Sequence, residues 1–414
     1  MYVYSLFSEI FQHCIYRQLK ARIRKLESKH YFFTSFSKRE QLFSFTLVLD
    51  WIRAVDKPVW IALLDFSSVM FASNTNVVMN LLENELPNQI QILKSLLEKS
   101  NISTNLNKTN DKNIYKIVMQ FFWSNLLSEC FPPKKNTGIN FISRETGNPF
   151  NQPSSESPLP ISIRGFVFVD LILFMSHAEK ELKSNLKCFM DVLDTVSLDY
   201  KELKVTISVN KPSSTNQSSS RFNCFGKQIE LSPSVNILGI PFGFGKIRDD
   251  EIFSRIETAR KVKKGTQYSI LPSEDINITI KRYMVNILEP LLLNLDILPI
   301  DSTDETLLTR FHDIFITEIQ GRNIFVRKSS VLTTKSIPTI LSYKRLVLFG
   351  DVCRLSPKNN ARRLLYGNFN SNNIPECFLN LCFADLQKFE LDYTECVDKD
   401  SWVQTLDSKL SGLE

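Results

Sequence analysis

Between Gly165 and Phe174 the chain reads GFVFVDLILF, with one carboxylate, Asp170, in a run otherwise free of polar side chains. An apolar run of this kind reads as buried strand, and the acid divides it into two segments that meet near Asp170. An ionised carboxylate taken out of water without a partner is costly enough that it shifts its pKa or acquires one. Whatever fold forms must therefore bring a partner to Asp170. KPVWIALLDF, from Lys57 to Phe66, has the same character, an apolar run closing on Asp65 far upstream. As neighbours in one antiparallel sheet, the two strands could hold their acids face to face. Like charges that close call for a divalent cation, and Mg2+ suits paired carboxylates. Single acids at strand ends are also common, so the spacing alone leaves both readings open.

Around these two runs the pattern is mixed. TNVVMNLLENELPNQIQILKSLLEK and SHAEKELKSNLKCFMDVLDTV carry helical spacing, LKVTISVN reads as a strand, and RFNCFGKQIELSPSVNILGIPF as strands around a turn at Phe225–Gly226. The stretches Pro132 to Pro160 and Lys211 to Ser220 are rich in Pro, Ser, Asn or Gly and read as loops. After Asp249 the chain is mostly helical. An α+β core followed by a helical region is the expected class.

No stretch approaches twenty uncharged apolar residues, which argues against a transmembrane helix, and the first residues lack a basic leader followed by an apolar block. An intracellular protein of cytoplasm or nucleus, not a secreted one, is expected. The eight cysteines include no CxxC pair, so Cys377, Cys382 and Cys396 read as reduced core thiols rather than a zinc site. Trp51, Trp60, Trp123 and Trp402 read as core, and His177 as a turn or helix-start residue. The net charge of +6 is concentrated in YRQLKARIRKLESKH, RIETARKVKKG and YKRLVLFGDVCRLSPKNNARR. Three separated basic stretches fit a surface that tracks a phosphate backbone; they fit solvated helix faces as well.

The order of segments resembles the reverse transcriptase of non-LTR retrotransposons. Glu40-Gln41 stand where that family has Asp-Gln at the close of its finger motif. VWIALLDFSSVMFA stands at its FxDFxKAFD strand, IVMQFFWSNLLSECF at GVRQGxxLSPLLFN, and FVDLILFMSHAEKEL at FADDIALLAxSxEEL. SLDYKELKVTISV is similar to the following GLxINxxKT strand, and Ile237-Leu238-Gly239 occupy the Tyr-Leu-Gly of the primer-gripping hairpin. RIETARKVKKG fits the thumb, and YKRLVLFGDVCRLSPKNNARRLLY resembles RxRWxGHVxRM, keeping Arg345, Gly350, Val352 and Arg354.

The resemblance implies a right-hand polymerase: fingers and palm over 1–245, a helical thumb over 246–330 and a C-terminal helical region over 331–414. It places Asp65 and Asp170 as catalytic metal ligands for Mg2+, and Gln120, Phe66 and Lys204 at the nucleotide. Arg255, Arg260, Lys261, Lys263, Lys264, Arg345 and Arg354 are placed on nucleic acid, and His312 on an exposed helix. The implied partners are an RNA template and a DNA primer, with no small-molecule cofactor beyond dNTP and metal, and no membrane. The family's upstream nuclease domain has no counterpart in this sequence. The polar positions of the pattern are widely replaced. Leu171 stands for the second acid of the DD pair, Phe36 for the finger arginine, Phe121 for the glycine after Gln120, Ile237 for the tyrosine and Asp351 for the histidine. Charge neutralisation and metal positioning supply most of the rate in phosphoryl transfer. A degenerate, inactive or weakly active polymerase is therefore expected, the alternative being a non-catalytic nucleic-acid-binding protein on the same fold.

Overall fold

The computed structural model describes residues 13–23, 25, 26, 31–34, 38–54, 58–70, 75–85, 87, 91, 111–131, 138–143, 149, 159–210, 221–224, 226–237, 240–243, 249–265, 276–298, 300–321, 336–367 and 377–411. It is a mixed α+β chain that divides into two compact units. One comprises Met1–Gln41, Lys57–Ile142 and Pro160–Val235; the other comprises Leu42–Asp56, Ser143–Leu159 and Asn236–Glu414.

The strands are β1 (Phe32–Thr34), β2 (Trp60–Asp65), β3 (Ile139–Ser143), β4 (Leu159–Ile163), β5 (Gly165–Val167), β6 (Leu171–Ser176), β7 (Lys204–Val209), β8 (Arg221–Cys224), β9 (Lys227–Glu230), β10 (Ser234–Ile237) and β11 (Ile240–Gly243). Five of them form the sheet of the first unit, in the order β1-β5-β6-β2-β7. Only the β1–β5 pair is parallel; β5–β6, β6–β2 and β2–β7 are antiparallel. The near-continuous apolar runs of β2 and β6 follow from burial on both faces. Ala62, Leu64, Ile172, Phe174 and Ile207 point to one side, where they form a single core with Phe122, Trp123 and Leu126 of the helix Asp111–Cys130 and Leu182, Leu186 and Phe189 of the helix Glu179–Thr195. Ile61, Leu63, Leu173 and Met175, at alternate positions, are buried too. Each such side chain contributes about 1.5–3 kcal/mol over leaving it in water. The segment 13–26 is amphipathic, with Ile15, Leu19 and Ile23 fully inside and Arg17, Arg22 and Lys25 exposed.

The loop expected over Pro132 to Pro160 holds more order than its composition predicts, because β3 lies within it and pairs with β4, which begins at its last two residues. Residues 211–220 lie outside the described residues. The hairpin around Phe225–Gly226 forms as β8 and β9, with Gly226 at φ +66, where a residue without a Cβ turns the chain at no steric cost.

Both helical stretches expected after residue 245 fall in the second unit. Its helices run Asp249–Gly265, Ile276–Tyr283, Ser302–Gly321, Ile337–Cys353, Asn360–Leu365, Phe378–Lys388 and Lys399–Ser411, with the end of Lys38–Ala54. Trp402, fully buried, donates its indole N–H to the Leu346 carbonyl at 3.0 Å. His312, expected on an exposed helix, is instead 4% exposed and hydrogen-bonded to the Tyr283 hydroxyl at 2.8 Å. Among the described residues no helix is long and apolar enough to cross a membrane.

Candidate active site

Asp65 is the last residue of β2, and Asp170 is the last of the three residues between β5 and β6 and, after Val169, the second of the two at the tip of the turn. The turn is closed by the Phe168 N–H donating to the Leu171 carbonyl at 2.8 Å. The β2–β6 register puts Asp65 opposite Leu171, and one step further the Phe66 N–H donates to the Asp170 carbonyl at 2.8 Å. Asp65, on β2, and Asp170, in the turn that leads into the neighbouring β6, therefore lie at the same end of the sheet, one residue out of register. The residue directly across from Asp65 is an apolar Leu171 on one side and, on the other, Lys204 of β7. The fold brings Asp65, Phe66, Asp170, Leu171 and Lys204 to one end of the sheet.

Each carboxylate has a local hydrogen bond. Asp65 Oδ1 accepts from the Ser67 N–H at 2.9 Å, at the first turn of the short helix Ser67–Met70. Asp170 Oδ1 accepts from the Tyr115 hydroxyl at 3.1 Å. Tyr115 stands on the helix Asp111–Cys130, and Trp123, two turns further along, donates its indole N–H to the Val169 carbonyl at 3.1 Å. One helix thus grips both residues of the turn. Burial above all, then the charge and hydrogen bond of Asp170, hold the Tyr115 phenol far above its ordinary pKa, so it remains an O–H donor. Neither Tyr115 nor this grip was singled out from the sequence; the only signal was an aromatic one turn ahead of an apolar helical run.

Paired Mg2+ ions bridged by carboxylates need more oxygen ligands than two aspartates give. Leu171 occupies the third acidic position of the pattern, and among the described residues no group of three or more His, Cys, Asp or Glu side chains could hold a metal ion. Among the described residues, the side chains at this end of the sheet do not supply the ligands of a two-ion site.

The other expected site residues are placed as follows. Gln120 and Phe66, read as nucleotide contacts, are fully buried; Phe66 packs on Trp123 at 4.5 Å between ring centres. Both are core residues here, because the apolar side chains around them close over those positions. Arg345, read as a nucleic-acid contact, is 7% exposed and ion-paired to Asp385 at 3.2 Å. Arg354 donates to the Cys396 carbonyl and to Asp351, both at 2.6 Å. Arg255 is tied to Glu251 at 2.8 Å and to the Leu293 carbonyl at 2.7 Å. Lys263 pairs with Glu318 and lies over the Phe315 ring. Arg260 and Lys261 face solvent, Arg260 beside Glu257. The side chain of Lys264, and Phe36, Leu238 and Gly239, lie outside the described residues. No protein-family model matches the chain, and no curated protein matches it.

Proposed function

We propose that this chain is a degenerate reverse transcriptase of the non-LTR retrotransposon type, a scaffold that binds a template–primer duplex without extending it. The observation that carries the reading is the meeting of Asp65 and Asp170 at one sheet end, from segments far apart in the chain and in the order the resemblance sets. Lys204 across from Asp65 adds a cation at the same edge. Loss of chemistry is supported by Leu171 opposite Asp65 and by the buried Phe121 where the pattern has glycine. A phenyl ring there fills space that a glycine would leave to a nucleotide. The exposed Arg17, Arg22 and Lys25 on one amphipathic helix and the exposed Arg260 and Lys261 on another supply charge for phosphate contact.

The test is made on the full chain with an RNA template annealed to a DNA primer. Fluorescence anisotropy should show binding that weakens steeply as salt rises, with no primer extension in Mg2+ or Mn2+. Extension abolished by Asp170→Ala would show a working polymerase. Absence of binding even at low salt would sink the scaffold reading.

A further inference from the structure

We infer that the Tyr115 hydroxyl, rather than a divalent cation, is what holds the Asp170 carboxylate, so that the Val169–Asp170 turn is a fixed structural joint rather than half of a metal site. This rests on the polymerase reading only for what Asp170 corresponds to. A carboxylate at a turn, out of register with its neighbouring acid, needs a donor. The helix Asp111–Cys130 supplies one by running its face along the turn. Trp123 reaches the Val169 carbonyl, Tyr115 reaches the Asp170 side chain, and the Phe66 N–H takes the Asp170 carbonyl. Three groups from two elements thus converge on two residues. Trp123 and Phe66 are fully buried and pack against each other with their rings tilted, which fixes the helix against the turn and aims the Tyr115 hydroxyl. A phenol hydrogen-bonded to a carboxylate satisfies it without neutralising its charge.

The two arrangements differ in the metal-free protein. Acids poised to share a cation repel one another when it is absent, so deleting one relaxes the site. An acid anchored by a phenol stabilises the turn, and deleting either partner loosens it. Hydrogen exchange read by mass spectrometry on peptides covering residues 165–176 separates these outcomes without relying on activity. In Mg2+-free buffer, Tyr115→Phe and Asp170→Ala should each speed exchange of the turn amides by about 5- to 30-fold. The double variant should exchange little faster than either single one, because both remove the same bond. Mn2+ titrated into the full chain should leave the free-ion electron paramagnetic resonance signal no lower than in the Asp170→Ala variant. Slower exchange in Asp170→Ala, or Mn2+ capture that Asp170→Ala abolishes, overturns the assignment to Tyr115 while strengthening the polymerase reading. Unchanged exchange in both single variants overturns the assignment and leaves that reading where it stood.

Discussion

Asp50 shows how a single side chain can set the pH response of the second unit. It is 5% exposed, its Oδ1 accepts from Arg53 at 3.1 Å, and its Oδ2 accepts from the Phe378 N–H at 3.1 Å, capping a helix from the far end of the chain. Desolvation dominates, with Arg53 and the Phe378 N–H opposing it, and raises its pKa from 3.8 to about 6. A raised carboxyl favours the protonated native state. Its contribution is full below the unfolded value of 3.8 and is lost as pH rises through about 6. That shift of about two units corresponds to about 3 kcal/mol. Asp50→Asn keeps an acceptor for Phe378 and removes the titration. Urea unfolding at pH 4 and pH 7.5 should therefore show a smaller loss between the two pH values in the variant than in the parent chain; equal losses would refute the role. Asp50 reads in the sequence as an ordinary helix acid, and nothing local announces that Phe378 will land on it. The same blindness explains Phe66, Gln120 and Arg345. A family pattern transfers positions along the chain, whereas exposure depends on neighbours such as Trp123 and Asp385 that only the fold supplies.

Elements were more legible than sites because their signals are local. The β2 and β6 runs, the helix Glu179–Thr195 and the β8–β9 turn all followed from periodicity or turn chemistry in one window. β3 and β4 did not, since strands of five residues embedded in loop-forming composition give periodicity too little length. Glycines mark where elements touch most closely. Gly350, in the helix Ile337–Cys353, was legible only as a retained position of the pattern, and its structural role is contact. A Cβ there would lie 2.6 Å from the Trp402 indole nitrogen and 2.7 Å from its Cδ1. Trp402 is fully buried and anchored to the Leu346 carbonyl of the same helix, so it has little room to yield. Gly350→Ala should therefore destabilise the packing of Lys399–Ser411 on Ile337–Cys353 by about 1–3 kcal/mol. Near-ultraviolet circular dichroism of the tryptophan band during thermal unfolding measures this, and an unchanged midpoint would show that the helices part without strain.

For the whole molecule, the question is which positive charges are available to a phosphate backbone. Three basic stretches were visible in the sequence, but charge along a chain does not say where each side chain is spent. Arg345 answers Asp385, whose carboxyl burial raises while Arg345 and the Ser342 hydroxyl, 2.6 Å away, lower it. Arg260 and Lys261 remain outside. If duplex binding is electrostatic, each phosphate contact adds about 0.7–0.9 to the slope of log affinity against log salt. Neutralising the exposed pair with Arg260→Gln and Lys261→Gln should flatten that slope by about one to two units and leave the unfolding midpoint almost unmoved, since exposed ion pairs are worth about 0–1 kcal/mol. Arg345→Gln should do the reverse. It strands a buried carboxylate at a cost of about 3–5 kcal/mol, while the salt slope of the folded fraction stays as it was. Anisotropy titrations at several salt concentrations, paired with urea unfolding of the same variants, read both quantities. A flattened slope in Arg345→Gln, with the exposed pair inert, would mean that the duplex reaches the interior of the second unit and that the burial of Arg345 is not maintained when nucleic acid binds.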